Sequence, residues 1–220
     1  MVKLINIYRN FNIKAEHKNS IVLIGNFDGL HLCHQKLFAL AKKYKKKYSL
    51  KVGVLTFEPM PKMYFNQSIK NFRISSQEQK IKLLSNLNVD FIIIKKFNKV
   101  FSKTKSINFI KNILAKKLNV KFIFVSNNFK FGYKREGNVR QLIKLENKFN
   151  FKIIKPKPLL INKKIISSSL IRNYLQVGKL EKANKLLNRK WSVVGKVQKG
   201  RQLGKKLVFQ QPILTLKTTY

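Results

Sequence analysis

The sequence turns on IVLIGNFDGLHLCHQKLFAL, residues 21–40. An apolar run, Ile21-Val22-Leu23-Ile24, meets a polar turn bracketed by Gly25 and Gly29, and a helix-like stretch with His31 and His34 at its start follows. A short apolar run closed by turn signals reads as a buried strand. A strand that passes through glycines into a helix N-terminus gathers unpaired backbone N–H groups and the positive end of the helix dipole at one point, so it builds an anion site. Histidines three residues apart share one helix face and can aim their ring N–H groups at the same phosphate. Each feature alone is ordinary, since such turns are common and a histidine at a helix start is usually a cap or a surface residue. Their combination within ten residues points to function.

Working outward, Val52–Phe57 is a second buried-type strand, ended by Glu58-Pro59-Met60-Pro61, whose prolines forbid further ladder bonds. Gln77–Leu87, with Ile81, Leu83, Leu84 and Leu87, has the spacing of an amphipathic helix, and Phe91–Ile94 is a third strand. Ile107, Ile110, Leu114 and Leu118 predict a helix over 107–118, and Lys121–Val125 is a fourth strand. Residues 1–20 read as an entry strand and loop. Strands alternating with helices predict an α/β fold with a parallel sheet covered on both faces. Ligands of such sheets sit at the carboxyl ends of the strands, which puts the loops after Ile24, Phe57 and Val125 on one rim.

Beyond the fourth strand, Ser126–Arg140 is a polar, aromatic and basic loop given turn freedom by Gly132 and Gly137. A helix over Gln141–Phe149 and a strand over Phe151–Ile154 follow. Ser167, Ser168 and Ser169 can cap a helix. Arg172 has no capping duty there, and beside a phosphate site it would neutralise a triphosphate. Gly178–Leu187 reads as one more helix. From Trp191 the pattern changes to strand-like alternation with glycines, the start of a β-rich unit with too few residues to bury a core of its own.

The 220 residues suffice for one sizeable α/β domain or a domain plus part of another. A net charge of +40 suggests polyanions, yet 41 of the 48 cations are lysine and only 7 arginine, whereas base reading favours the arginine fork. The lysines are scattered, with KKYKKKY at 42–48 the densest run, so weak, salt-dependent attraction to polyanions is expected and specific nucleic-acid binding is not. The single cysteine, Cys33, excludes an internal disulfide and suits a reducing, cytoplasmic setting; no stretch predicts a membrane span or a signal peptide.

GNFDGLHLCHQ (25–35), TFEPMP (56–61), NFKFGYKREGN (128–138), ISSSLIR (166–172) and GKVQKGRQLGKKLVF (195–209) occur in that order, and through them the chain resembles the prokaryotic bifunctional riboflavin kinase/FAD synthetase family over nearly its full length. The resemblance implies a Rossmann-like nucleotidylyltransferase domain over 1–187, transferring AMP from ATP to FMN with Mg2+ as the neutralising cation, and the truncated start of a riboflavin kinase β-barrel over 188–220. It implies that His31 and His34 meet the ATP phosphates, with His34 the transition-state contact. Gly25, Phe27, Asp28 and Gly29 would form the nucleotide loop, and Ser167, Ser168 and Arg172 would hold the outer phosphates. Asn128, with Arg135 nearby, would approach the flavin or its phosphate. No carboxylate cluster marks a protein metal site, and no membrane partner is implied.

The chain departs from the family pattern at four places, one of them Ser169, where the family's serine-rich motif ends in threonine and the hydroxyl is kept. Cys33 stands where the His-x-Gly-His signature has glycine, Met60 where a histidine usually separates the two prolines, and Gln210-Gln211-Pro212-Ile213-Leu214 where Pro-Thr-Ala-Asn serves the kinase. If Gln210–Leu214 is encoded CAA CAG CCA ATA TTA, the same bases read one base earlier behind a C translate as Pro-Thr-Ala-Asn-Ile, so a single-base deletion after Phe209 is one account of the ending, and kinase activity is expected to be lost. Two alternatives stand beside FMN adenylylation: the same fold acting on another cofactor precursor, and a decayed family member that binds nucleotide without turnover.

Overall fold

In the computed structural model, which describes residues 5–69, 72–161 and 164–194, the organising element is a six-stranded parallel sheet. Strand β1 (Asn6–Tyr8) leads to β2 (Ile21–Ile24), helix α1 (Leu32–Tyr48), β3 (Val52–Glu58), α2 (Pro61–Phe65), α3 (Gln77–Ser85) and β4 (Phe91–Lys96). Helices α4 (Lys99–Ser102) and α5 (Ser106–Asn108) follow, and the chain continues from α5 as a π-helical stretch, Phe109–Lys117, to β5 (Phe122–Phe124). A hairpin of β6 (Lys130–Phe131) and β7 (Gly137–Asn138), helices α6 (Val139–Lys144) and α7 (Glu146–Phe149) and strand β8 (Lys152–Ile154) come next. A second hairpin, β9 (Leu160–Ile161) with β10 (Lys164–Ile165), precedes α8 (Ser168–Gln176) and α9 (Leu180–Leu187).

The sheet runs β1-β4-β3-β2-β5-β8 with every neighbouring pair parallel, the α/β architecture that the alternation predicts. From β2 the chain adds β3 and β4 on one side, then returns to add β5 and β8 on the other. That reversal opens a crevice at the carboxyl ends of β2 and β5, where an open α/β sheet takes its ligand. Strand β2 is buried on both faces. Ile21 and Leu23 pack with Leu37, Phe38 and Ala41 of α1, while Val22 and Ile24 pack with Ile110, Leu114 and Leu118 on the other face. Gly53 of β3 lies flush beneath the ring of Phe91, 2.1 Å from where its Cβ would stand.

Two local readings change. Over residues 107–118 the buried set is Phe109, Ile110, Ile113, Leu114 and Leu118, while Ile107 is exposed. A π-helical turn holds more residues than an α-helical one, so it rotates Phe109 into the core in place of Ile107. The helix expected over 141–149 is two short ones, α6 and α7, broken at Leu145.

After α9 the chain stays bound to the domain. Trp191 donates Nε1–H to the Ile74 carbonyl at 2.9 Å and its backbone N–H to Asn184 Oδ1 at 2.6 Å, and Gln79 Nε2 donates to the Ser192 carbonyl at 2.9 Å. Trp191, where the strand-like pattern begins, is thus anchored to the domain. The GKVQKGRQLGKKLVF motif, the barrel start and the Gln210–Leu214 ending lie outside the described residues. Among the described residues, no helix is long and apolar enough to cross a membrane.

Candidate active site

The loop from β2 to α1 is tightly folded. Phe27 (φ 49°), Gly29 (φ 75°) and Leu30 (φ 39°) all take left-handed backbone, which for Phe and Leu persists only where the surroundings enforce it. Gly29 has a second constraint, because a Cβ there would stand 2.9 Å from Ile74 Cγ2. Phe27 plugs the core beneath the loop, edge-on to both His34 and Phe38. The Asp28 carboxylate, 3% exposed, fastens the loop from below: Oδ1 accepts from the Ile74 and Ser75 N–H groups at 3.0 and 3.3 Å, and Oδ2 accepts from Arg172 Nη2 at 2.9 Å. Of the five residues Gly25–Gly29, only Asn26 is exposed.

His31 is the N-cap residue of α1 and His34 lies in its first turn. Their rings stack with centroids 3.8 Å apart and planes 23° apart. The inner nitrogen of each, Nδ1, is enclosed and has no hydrogen-bond partner. Burial, then the nearby Arg172 and Arg189 charges, pushes His31 down to about 4, and burial with the adjacent His31 holds His34 well below its usual value. Both are therefore neutral imidazoles at pH 7, with the Arg172 and Arg189 charges close to His31.

The serine-rich segment meets the β2–α1 loop. Ser167 caps α8 by accepting from the Leu170 N–H at 3.2 Å, and Ser168 Oγ donates to the Asp28 carbonyl at 3.0 Å. Arg172 is held on three sides: Nε donates to the Phe72 carbonyl at 2.7 Å, Nη2 meets Asp28, and the guanidinium lies 3.7 Å above the Phe72 ring. Its Nη1 has no partner among the described residues. The Cys33 thiol turns to the Ile166 carbonyl, 3.3 Å away, and packs in the cluster under α8 and α9. Met60, where the family usually has histidine, is buried at the start of α2.

Asn128 and Arg135 lie on the neighbouring loop, beyond β5. Asn128 is exposed, its Oδ1 accepting from Ser126 Oγ at 2.9 Å, and Arg135 stands exposed at the turn of the β6–β7 hairpin. The structure thus joins Gly25–Gly29, His31, His34, Ser168 and Arg172 through direct contacts, and leaves Asn128 and Arg135 on the adjacent rim. Three cations that sequence reading missed belong to the same buried layer. Arg189 approaches Ser75 Oγ at 3.4 Å, Arg73 forms a two-bond pair with Glu58, and Lys80 reaches Thr56 Oγ1 at 3.3 Å.

The loop, the histidine pair and the first residues of α8 sit inside a region that matches a known family. A sequence model of FAD synthetase aligns with residues 13–170. The chain belongs to the FAD synthetase family. Among curated relatives, the bifunctional riboflavin kinase/FMN adenylyltransferase of Buchnera aphidicola subsp. Schizaphis graminum is 41% identical over 207 residues, covering 94% of this chain and 66% of that protein. The Escherichia coli K12 protein of the same name is 31% identical over 208 residues, with the same coverage. The chain therefore spans about two thirds of the length of these relatives. Among solved structures, one named macrolide-efflux protein from Streptococcus pneumoniae superposes with a TM-score of 0.81 at 26% identity, covering 97% of this chain and 70% of that one.

Proposed function

We propose that this FAD synthetase family member is an FMN adenylyltransferase, which transfers AMP from ATP to FMN and releases pyrophosphate. The observation that carries the reading is the His31–His34 stack, two neutral imidazoles with enclosed, unpartnered Nδ1 atoms at the head of α1 beside the β2–β5 crevice. An FMN phosphate oxygen attacks the α-phosphorus in line, its bond forming as the bond to the bridging oxygen of pyrophosphate breaks. Charge gathers on the non-bridging oxygens, so catalysis consists of positioning and electrostatic stabilisation. His31 and His34 donate ring N–H groups to those oxygens, His34 at the transition state, and the Gly25–Gly29 loop surrounds the nucleotide.

Ser167 and Ser168 act by fixing the N-terminus of α8, whose N–H groups and dipole face the outer phosphates; Arg172 adds its unpartnered Nη1. Asn128 and Arg135 approach the FMN phosphate from the β5 rim. The described residues contain no cluster of three or more His, Cys, Asp or Glu able to hold a metal, and Asp28 is committed to Arg172 and two N–H groups. Mg2+ accordingly enters as part of the substrate, Mg·ATP, neutralising the phosphates. One cysteine and a nucleotide substrate suit a cytoplasmic enzyme. The test is chromatographic: purified chain with Mg·ATP and FMN yields FAD and pyrophosphate, and failure to form FAD contradicts the reading.

A further inference from the structure

Beneath the nucleotide loop lies a cation whose burial the mechanism above leaves without a purpose. Lys80 of α3 is 4% exposed, and its ammonium donates to Thr56 Oγ1 at 3.3 Å; Thr56, fully enclosed near the carboxyl end of β3, donates in turn to the Asn26 carbonyl at 3.3 Å. A buried ammonium is costly unless charge or hydrogen bonds compensate it. The two carboxylates of the layer are both engaged, Glu58 by Arg73 and Asp28 by Arg172. Four cations, Lys80, Arg73, Arg172 and Arg189, face those two carboxylates, leaving two positive charges in excess. An anion on the loop above would balance them.

The geometry shows how that charge reaches the ligand. The Asn26–Phe27 peptide is trans, so a carbonyl turned down to Thr56 directs the Phe27 N–H the opposite way, and among the described residues that N–H meets no acceptor. Asn26 is also the exposed residue of the loop.

We propose that Lys80 and Thr56 form a relay that sets the Asn26–Phe27 peptide so that the Phe27 N–H binds a phosphate of the nucleotide, with Lys80 a positioning residue that never touches substrate. The assignment rests on the adenylyltransferase reading and adds the device that holds its loop in register. Burial, opposed by the Glu58 and Asp28 charges and reinforced by Arg73, lowers the Lys80 ammonium from its usual range, so the relay also weakens earlier on the alkaline side than a free lysine would.

The test is Mg·ATP affinity, measured by calorimetry on the full chain and on K80M, T56V and the double variant, beside their melting temperatures. Thr→Val keeps shape, so T56V stays informative if K80M folds poorly. The relay requires each single variant to bind Mg·ATP about tenfold or more weakly. It also requires the double variant to be no weaker than the worse single, because both changes break one chain of bonds. A merely structural role lowers melting temperature and leaves the affinity of the folded protein within about twofold, and that result overturns the proposal, as does full additivity in the double variant. Wild-type protein that does not bind Mg·ATP at all removes the adenylyltransferase reading itself, and the relay with it.

Discussion

The two histidines set the pH behaviour of the molecule. His31 is held at about 4 against 6.5 in an unfolded chain, so between those values the unfolded state carries the extra proton. Stability contributed by the neutral imidazole is therefore complete above pH 6.5 and is lost as pH falls towards 4, by up to about 3 kcal/mol in all. Urea unfolding from pH 7 to pH 4 reads this directly, and H31Q is expected to flatten that part of the profile. A side chain at Cys33, where the family signature has glycine, would crowd a phosphate if it pointed into the site. The thiol instead turns to the Ile166 carbonyl and packs under α8. C33G is accordingly expected to change kcat/KM for FAD formation less than about threefold while costing about 1 kcal/mol of stability, the helix penalty of glycine. A large gain in rate would mark the cysteine as a lesion and favour a decayed gene.

The elements were legible where pattern and burial coincide. Ile21–Ile24 is apolar on both faces and proves to be a central strand, and the glycine-bracketed turn into α1 carries the histidines as its spacing predicts. Legibility failed where burial depends on distant partners. Lys80 looks like one more solvated cation on α3, and its burial becomes intelligible only once Thr56, Glu58 and Asp28 converge on it from β3 and the β2–α1 loop. Phe109 replaces Ile107 because a π-helical turn changes the period, which no α-helical template detects. Arg172, expected from the sequence to hold the outer phosphates, also bonds through Nε and Nη2 to Phe72 and Asp28, partners its own neighbourhood in the sequence does not signal. Within β3, Gly53 permits the close passage of Phe91. G53A is expected to destabilise the domain by about 3 kcal/mol, because the ring rather than a flexible chain end must move; thermal or urea unfolding measures it.

At the scale of the molecule, the surface and the site make different uses of positive charge. Lysines dominate a net charge of +40, while three of the six arginines among the described residues, Arg73, Arg172 and Arg189, gather in the layer under the loop. The protein is thus expected to bind heparin and oligonucleotides of any sequence alike and to release both steeply with salt; sequence preference in a competition assay would contradict that. The topology concentrates the chemistry at the carboxyl ends of β2, β3 and β5, where the sheet order reverses, and the central claim is that the stacked histidines there perform adenylyl transfer. The most direct measurement is the rate of FAD formation from FMN and Mg·ATP by wild type and H34A side by side, with melting curves to show that both are folded. The account requires FAD from wild type and a loss of about a hundredfold or more in H34A, the scale of one transition-state donor. FAD formed by folded H34A at the wild-type rate would contradict it.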